Sequence, residues 1–144
     1  MPEQSFQIER MILKIGNQLN NLRDIDLKQK NLTTAQSETL LYFSEHEGAA
    51  IAELKGHLKI SHQAARNLVA RLKAKQYLSA QISPTDGRAS AIYLTEQGHD
   101  ICDLLKQSGS NVGMTLLHGF SDTEMNQFHH FLLRASDNMK KGNV

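Results

Sequence analysis

Apolar residues recur at spacings of three and four along most of this chain. Across residues 5–28, Ile8, Met11, Ile12, Ile15, Leu19 and Leu22 keep to one helical face, with Gly16 the single weak spot. Thr33-x-x-Gln36 then has the form of a capping box, in which the hydroxyl accepts from an early backbone N–H and the Gln side chain reaches back. It opens a helix whose inward face holds Leu40, Leu41 and Phe43 and which Gly48 stops. Ile51, Leu54 and Leu58 predict a short helix over 51–58. Ser61 is a good N-cap for the next one, over 62–75, with Leu68, Val69 and Leu72 inward and Arg66, Asn67, Arg71 and Lys73 largely elsewhere.

After Tyr77 the period drops to two. Leu78, Ala80 and Ile82 alternate, Ser83-Pro84-Thr85-Asp86-Gly87 supplies a turn, and Ala91, Ile92, Tyr93 and Leu94 supply a second strand buried on both faces, so a β-hairpin is predicted. Thr95 caps a helix to about residue 117 through Ile101, Leu104, Leu105 and Val112. Gly109 and Gly113 weaken it by about 1 kcal/mol each relative to alanine, so a bend or mobile stretch is expected near 108–113. Ser121-x-x-Glu124 is a second capping box. It precedes a last helix carrying Met125, Phe128, Leu132, Ala135 and Met139.

The predicted fold is mainly α with a small β-hairpin wing: a winged helix-turn-helix over 32–97, flanked by dimerisation helices over 1–31 and 98–144. The 144 residues suit one such intertwined domain. The terminal stripes carry more apolar surface than the small middle can cover, and each exposed Leu or Ile forgoes about 1.5–3 kcal/mol. A homodimer is the economical expectation.

Net charge is only +1, but its distribution is uneven. Residues 55–88 hold seven basic residues against one acid, Asp86, a net of +6; the remainder holds nine basic and fourteen acidic, a net of −5. A basic centre in an acidic chain fits a polyanion-binding face, although a solvated helix face would look similar. The pair 51–58 and 62–75, joined by Lys59-Ile60-Ser61, has helix-turn-helix form. Ser61, His62, Gln63, Arg66 and Asn67 are candidate duplex contacts at the start of its second helix, with Arg71 further along. Gln and Asn suit adenine and Arg suits guanine, while Ser61 and the free N–H groups of the helix start suit a phosphate. Ala64 and Ala65 are small enough to let the helix approach base edges. At the hairpin tip Arg88 can enter a minor groove, where narrow walls concentrate negative potential, and Asp86 can orient it by a charge-assisted bond. The alternative is a winged-helix protein–protein interaction module without DNA binding; exposed Gln63, Arg66 and Arg88 argue against it, because such surfaces favour aromatics.

Leu32-Thr33-Thr34-Ala35-Gln36, the stretches 53–58 and 61–72, Asp86-Gly87-Arg88 and Leu94-Thr95-x-x-Gly98 resemble the MarR family of bacterial transcriptional regulators. The resemblance runs over about 32–101. It implies a winged-helix homodimer that binds a palindromic operator, most simply as a repressor. His62 to Lys75 would be the recognition helix, Arg88 the wing arginine and Asp86 its supporting acid. It also implies release by a small aromatic or phenolic effector, for which no site residues are named. Ile12, Ile15, Leu19, Tyr42 and Phe43 could line a crevice but equally suit a core. Gln76 stands where the family usually has glycine in a left-handed conformation, which Gln adopts at about 1 kcal/mol.

Other chemistry is absent from the sequence. Cys102, the lone cysteine, excludes an intramolecular disulfide and reads as a packed thiol. No two of the seven histidines lie four apart on one predicted helix, so no metal site or other cofactor is expected. There is no phosphate loop or nucleophile elbow, which argues against an enzyme. No apolar run reaches the roughly 18 residues of a bilayer span, and a reducing cytoplasm is the expected compartment.

Overall fold

The structure is a computed structural model that describes residues 1–82 and 90–142. The chain begins with α1 (Pro2–Gln29). This helix starts earlier than its apolar stripe suggests, because Pro2 fits the first turn, where no N–H is required, and Glu3 complements the positive end of the helix. It ends at Asn31, whose φ of 55° lets the Leu32 N–H turn back to the Leu27 carbonyl at 3.0 Å. Next comes α2 (Thr34–Glu45), opened by the expected box: Thr33 Oγ1 accepts from the Gln36 N–H and Gln36 Oε1 from the Thr33 N–H, each at 3.1 Å.

The short α3 (Ile51–Leu58) packs against α4 (His62–Ala74). Strands β1 (Leu78–Ile82) and β2 (Ser90–Leu94) pair antiparallel, from Leu78 opposite Leu94 to Ile82 opposite Ser90. A further bridge joins Ala49 to Ile92, so the segment between α2 and α3 lies along the wing sheet. Then α5 (Glu96–Leu116) and α6 (Asp122–Lys140) complete the chain. Helical hydrogen bonding in α5 runs on through 108–113, where a bend or mobile stretch is expected. Ser108 is anchored by bonds to Lys30 and Asp26 of α1, each at 3.0 Å, which helps offset the weakness of the neighbouring glycine.

Two compact units divide the chain, Met1–Gly109 and Ser110–Val144. The first holds the core. Leu40 and Phe43 of α2, Leu54 of α3, Leu72 of α4 and Ile92 of β2 are essentially inaccessible, with Leu27, Val69, Leu78, Leu94, Ile101 and Leu105 around them. Polar groups buried among them are satisfied locally: Thr39 Oγ1 donates to the Ala35 carbonyl and Ser37 Oγ to that of Thr34, both at 2.8 Å. In the second unit Gly119, at φ 84°, turns the chain into α6. Ser121 and Glu124 form the second capping box, and Phe120 stacks on Phe128 with ring centres 5.8 Å apart.

Among the described residues none of α6 is buried, and of α1 only Leu27 is. Phe6, Ile8, Met11, Ile12, Leu13, Leu22 and Ile25 of α1 remain about half exposed or more, as do Phe131, Leu133 and Met139 of α6. Among the described residues no helix is long and apolar enough to cross a membrane.

Candidate nucleic-acid interface

The turn between α3 and α4 is set by Lys59, which adopts the left-handed conformation (φ 55°, ψ 47°) and closes the end of α3. The Ile60 N–H bonds back to the Lys55 carbonyl at 3.3 Å. A side chain in that conformation costs about 1 kcal/mol, which the packing of α3 on α4 offsets. Ser61 then caps α4, its Oγ accepting from the Ala64 N–H at 3.1 Å.

Within α4, Ala65, Val69 and Leu72 are buried at spacings of four and three. That seam turns the opposite face outward. Ser61, His62, Gln63, Arg66, Asn67 and Arg71 are all exposed there. Ala65 is a correction: it is fully buried against the core, so its methyl group faces away from the surface that a duplex would meet. The signal was present in the sequence, since Ala65 lies four residues before Val69 and seven before Leu72 and therefore shares their side of the helix.

Among the described residues Arg66 and Arg71 form no ion pair, so both guanidinium groups are available to an anionic partner. Gln63 Nε2 donates to Asn67 Oδ1 at 3.0 Å along the same face. Arg71 also lines two shallow grooves. One is shared with Thr33, Ala35 and Gln36 at the start of α2; the other is shared with Lys28 and Lys75. Lys75 Nζ bonds to the Asn31 carbonyl and, at 3.4 Å, to Gln36 Oε1, tying the end of α4 to the start of α2.

At the end of α4, Gln76 takes the left-handed conformation expected of it, with φ 66°. The Tyr77 N–H returns to the Leu72 carbonyl and the Gln76 N–H to that of Lys73, both at 2.9 Å, a closure of Schellman type. The wing grows directly from this turn. Thr95, where β2 meets α5, donates its hydroxyl to the Gln76 carbonyl and its N–H to the Tyr77 carbonyl at 3.0 Å, while its Oγ1 accepts from the Gly98 N–H at 3.0 Å. Gly98 lies so close beneath that a Cβ there would sit 2.1 Å from the Tyr77 oxygen. On the other side of the sheet, the Gly48 N–H bonds to the Ile92 carbonyl at 2.7 Å and the Ile92 N–H to the Ala49 carbonyl at 3.0 Å. Sequence reading took Gly48 only as a helix stop and missed that bridge, because a single residue pair leaves no periodicity. Asp86, Arg88 and the turn 83–87 lie outside the described residues.

Cys102 is 1% exposed, with its Sγ 3.5 Å from the Leu40 carbonyl, and burial pushes its thiol up to about 11, with nearby Lys106 opposing the shift. A thiol held so strongly protonated is a poor nucleophile. Tyr42 lies between the rings of His46 and His57, at centroid distances of 4.4 and 4.7 Å; partial burial, and then Glu53, raise its phenol above the usual range. Phe43, the other aromatic that could have lined a crevice, is fully buried. His99 pairs with Glu47 at 3.0 Å. Among the described residues no group of three or more His, Cys, Asp or Glu side chains is placed to hold a metal ion.

Residues 30–89 match the sequence model of the MarR family, a span that contains α2, α3, α4 and β1. The HTH-type transcriptional regulator YybA of Bacillus subtilis (strain 168) is 24% identical over 134 residues, covering 93% of this chain and 89% of that protein. The crystal structure of the transcriptional regulator SlyA aligns with a TM-score of 0.77 at 23% identity, over 94% of this chain and 95% of that one. Streptococcus pneumoniae FabT, in a crystal structure in complex with DNA, aligns with a TM-score of 0.83 at 17% identity, over 94% and 96%. The winged helix-turn-helix fold is thereby established along the chain, and the resemblance to MarR regulators holds.

Proposed function

We propose that this chain, a MarR-family transcriptional regulator and not an enzyme, works in the cytoplasm as a homodimeric repressor of a palindromic operator. Each α4 enters a major groove, and the two half-sites lie about one helical turn, roughly 34–36 Å, apart. Arg88 reaches the flanking minor groove with Asp86 orienting it. A small aromatic or phenolic effector releases the dimer by favouring a separation of the two helices that no longer matches the groove pitch. The homodimer accounts for the exposed apolar residues of α1 and of α6, which a lone chain leaves in water.

The observation that carries this reading is the outward face of α4. Six polar side chains, two of them arginines without an ion pair among the described residues, stand on a helix whose back is locked into the core by Ala65, Val69 and Leu72. Such a face offers base-edge and phosphate partners together. Titration of a duplex from the protein's own upstream region at two salt concentrations tests it. Arg88→Ala is expected to weaken binding and to lower the slope of log affinity against log salt by about one unit. Unchanged affinity and slope would remove the wing from the reading, and the absence of salt-dependent binding by the unaltered chain would remove the duplex itself.

A further inference from the structure

Gln63 lies in the first turn of α4 and Asn67 one turn further on, both exposed, with Gln63 Nε2 donating to Asn67 Oδ1 at 3.0 Å. We propose that the two amides act as a single reader of an adenine edge; the inference rests on the DNA-binding reading above. A lone amide carries a donor and an acceptor and can turn over to suit either partner. The bond between these two couples their orientations, so that they turn together. It leaves Gln63 Oε1 as the outward acceptor and Asn67 Nδ2 as the outward donor, and turning either amide alone would set like groups against each other. The pair therefore presents one acceptor together with one donor.

In the major groove adenine carries a donor, N6–H, beside an acceptor, N7, whereas guanine offers two acceptors, cytosine a donor, and thymine an acceptor with a methyl group. Gln63 Oε1 accepts from N6–H while Asn67 Nδ2 donates to N7. The two amides stand one helical turn apart on the exposed face of α4 and are joined by that bond, so their heads meet a groove side by side. Their place at the start of the helix is where recognition helices meet base edges. Because the amides are already ordered against each other, less side-chain freedom is lost on binding than for two independent side chains.

Selection from a randomised duplex library with the full chain, followed by titration of the selected duplex, tests the pair. The expected result is an A·T pair at a fixed position in each half-site. Replacing that adenine by 7-deazaadenine, which lacks the N7 acceptor, should weaken binding roughly tenfold. Gln63→Ala and Asn67→Ala should each abolish that effect, and the double variant should lose no more than either single one. A selected duplex without a fixed A·T pair, an affinity indifferent to the deaza base, or single losses that simply add would overturn the paired reader and leave DNA binding standing. A chain that enriches no duplex overturns DNA binding and the pair with it.

Discussion

Helices α4 and α6 are both amphipathic, yet they stand in opposite conditions. In α4 the apolar seam of Ala65, Val69 and Leu72 is fully covered by the chain's own core, and what faces outward is polar and cationic. In α6 the stripe from Met125 through Phe128, Leu132 and Ala135 to Met139 is just as regular, but among the described residues none of the helix is buried. Hydrophobic periodicity says only that a helix wants a partner. Where that partner lies in the same chain, the opposite face is released for another task. Where it does not, the stripe itself is the unsatisfied surface.

Four experiments bear on that contrast. The largest effect should come from the covered side. Gly98→Ala places a methyl group against the Tyr77 carbonyl, and overpacking of that severity should cost about 3 kcal/mol, seen as a lower urea midpoint. Leu132→Glu strikes the uncovered side. It should weaken self-association by about 2 kcal/mol, roughly thirtyfold in the dimer constant, in sedimentation at several concentrations, with helical content retained. If it instead unfolds the chain at all concentrations, the α6 stripe is an ordinary core and the contrast fails. Gln76→Gly relieves the left-handed turn at the end of α4 and should raise stability by about 1 kcal/mol; a fall in melting temperature would mean that the Gln side chain contributes more than the turn costs.

The smallest effect concerns Cys102 and is silent at neutral pH. Its folded thiol titrates near 11, above its ordinary value of 9.0. The unfolded chain therefore releases this proton first, and the stability tied to the neutral thiol is complete below pH 9 and is lost as pH rises from there through 11. Cys102→Ala should flatten that alkaline decline, and the native thiol should resist iodoacetamide at pH 8 while the urea-unfolded chain reacts.

Much of the fold was legible because its signals are local. The two capping boxes, the bounds of α3, the Ser61 cap and the change of period after Tyr77 depend on neighbouring residues alone. The left-handed Gln76 came from comparison with a family pattern. What stayed hidden depends on contacts distant in sequence. The anchoring of Ser108 to Asp26 and Lys30 bears on the continuity of α5, and an isolated bridge ties Ala49 to Ile92 of the two-stranded wing sheet. At the interface, the outward positions of α4 followed from period and charge. Ala65 was misassigned because its small size suggested close approach to a base, when its register placed it inside. The bond between Gln63 and Asn67 was invisible for another reason: spacing brings two amides within reach, but does not say which atom donates.

The joint at Thr95 has a mechanical consequence. Gln76, Tyr77, Thr95 and Gly98 meet through backbone carbonyls and N–H groups, one hydroxyl and a bare Cα. A joint this short has few soft torsions, so a rotation of the first turn of α5 is expected to carry the root of the wing and the tail of α4 with it.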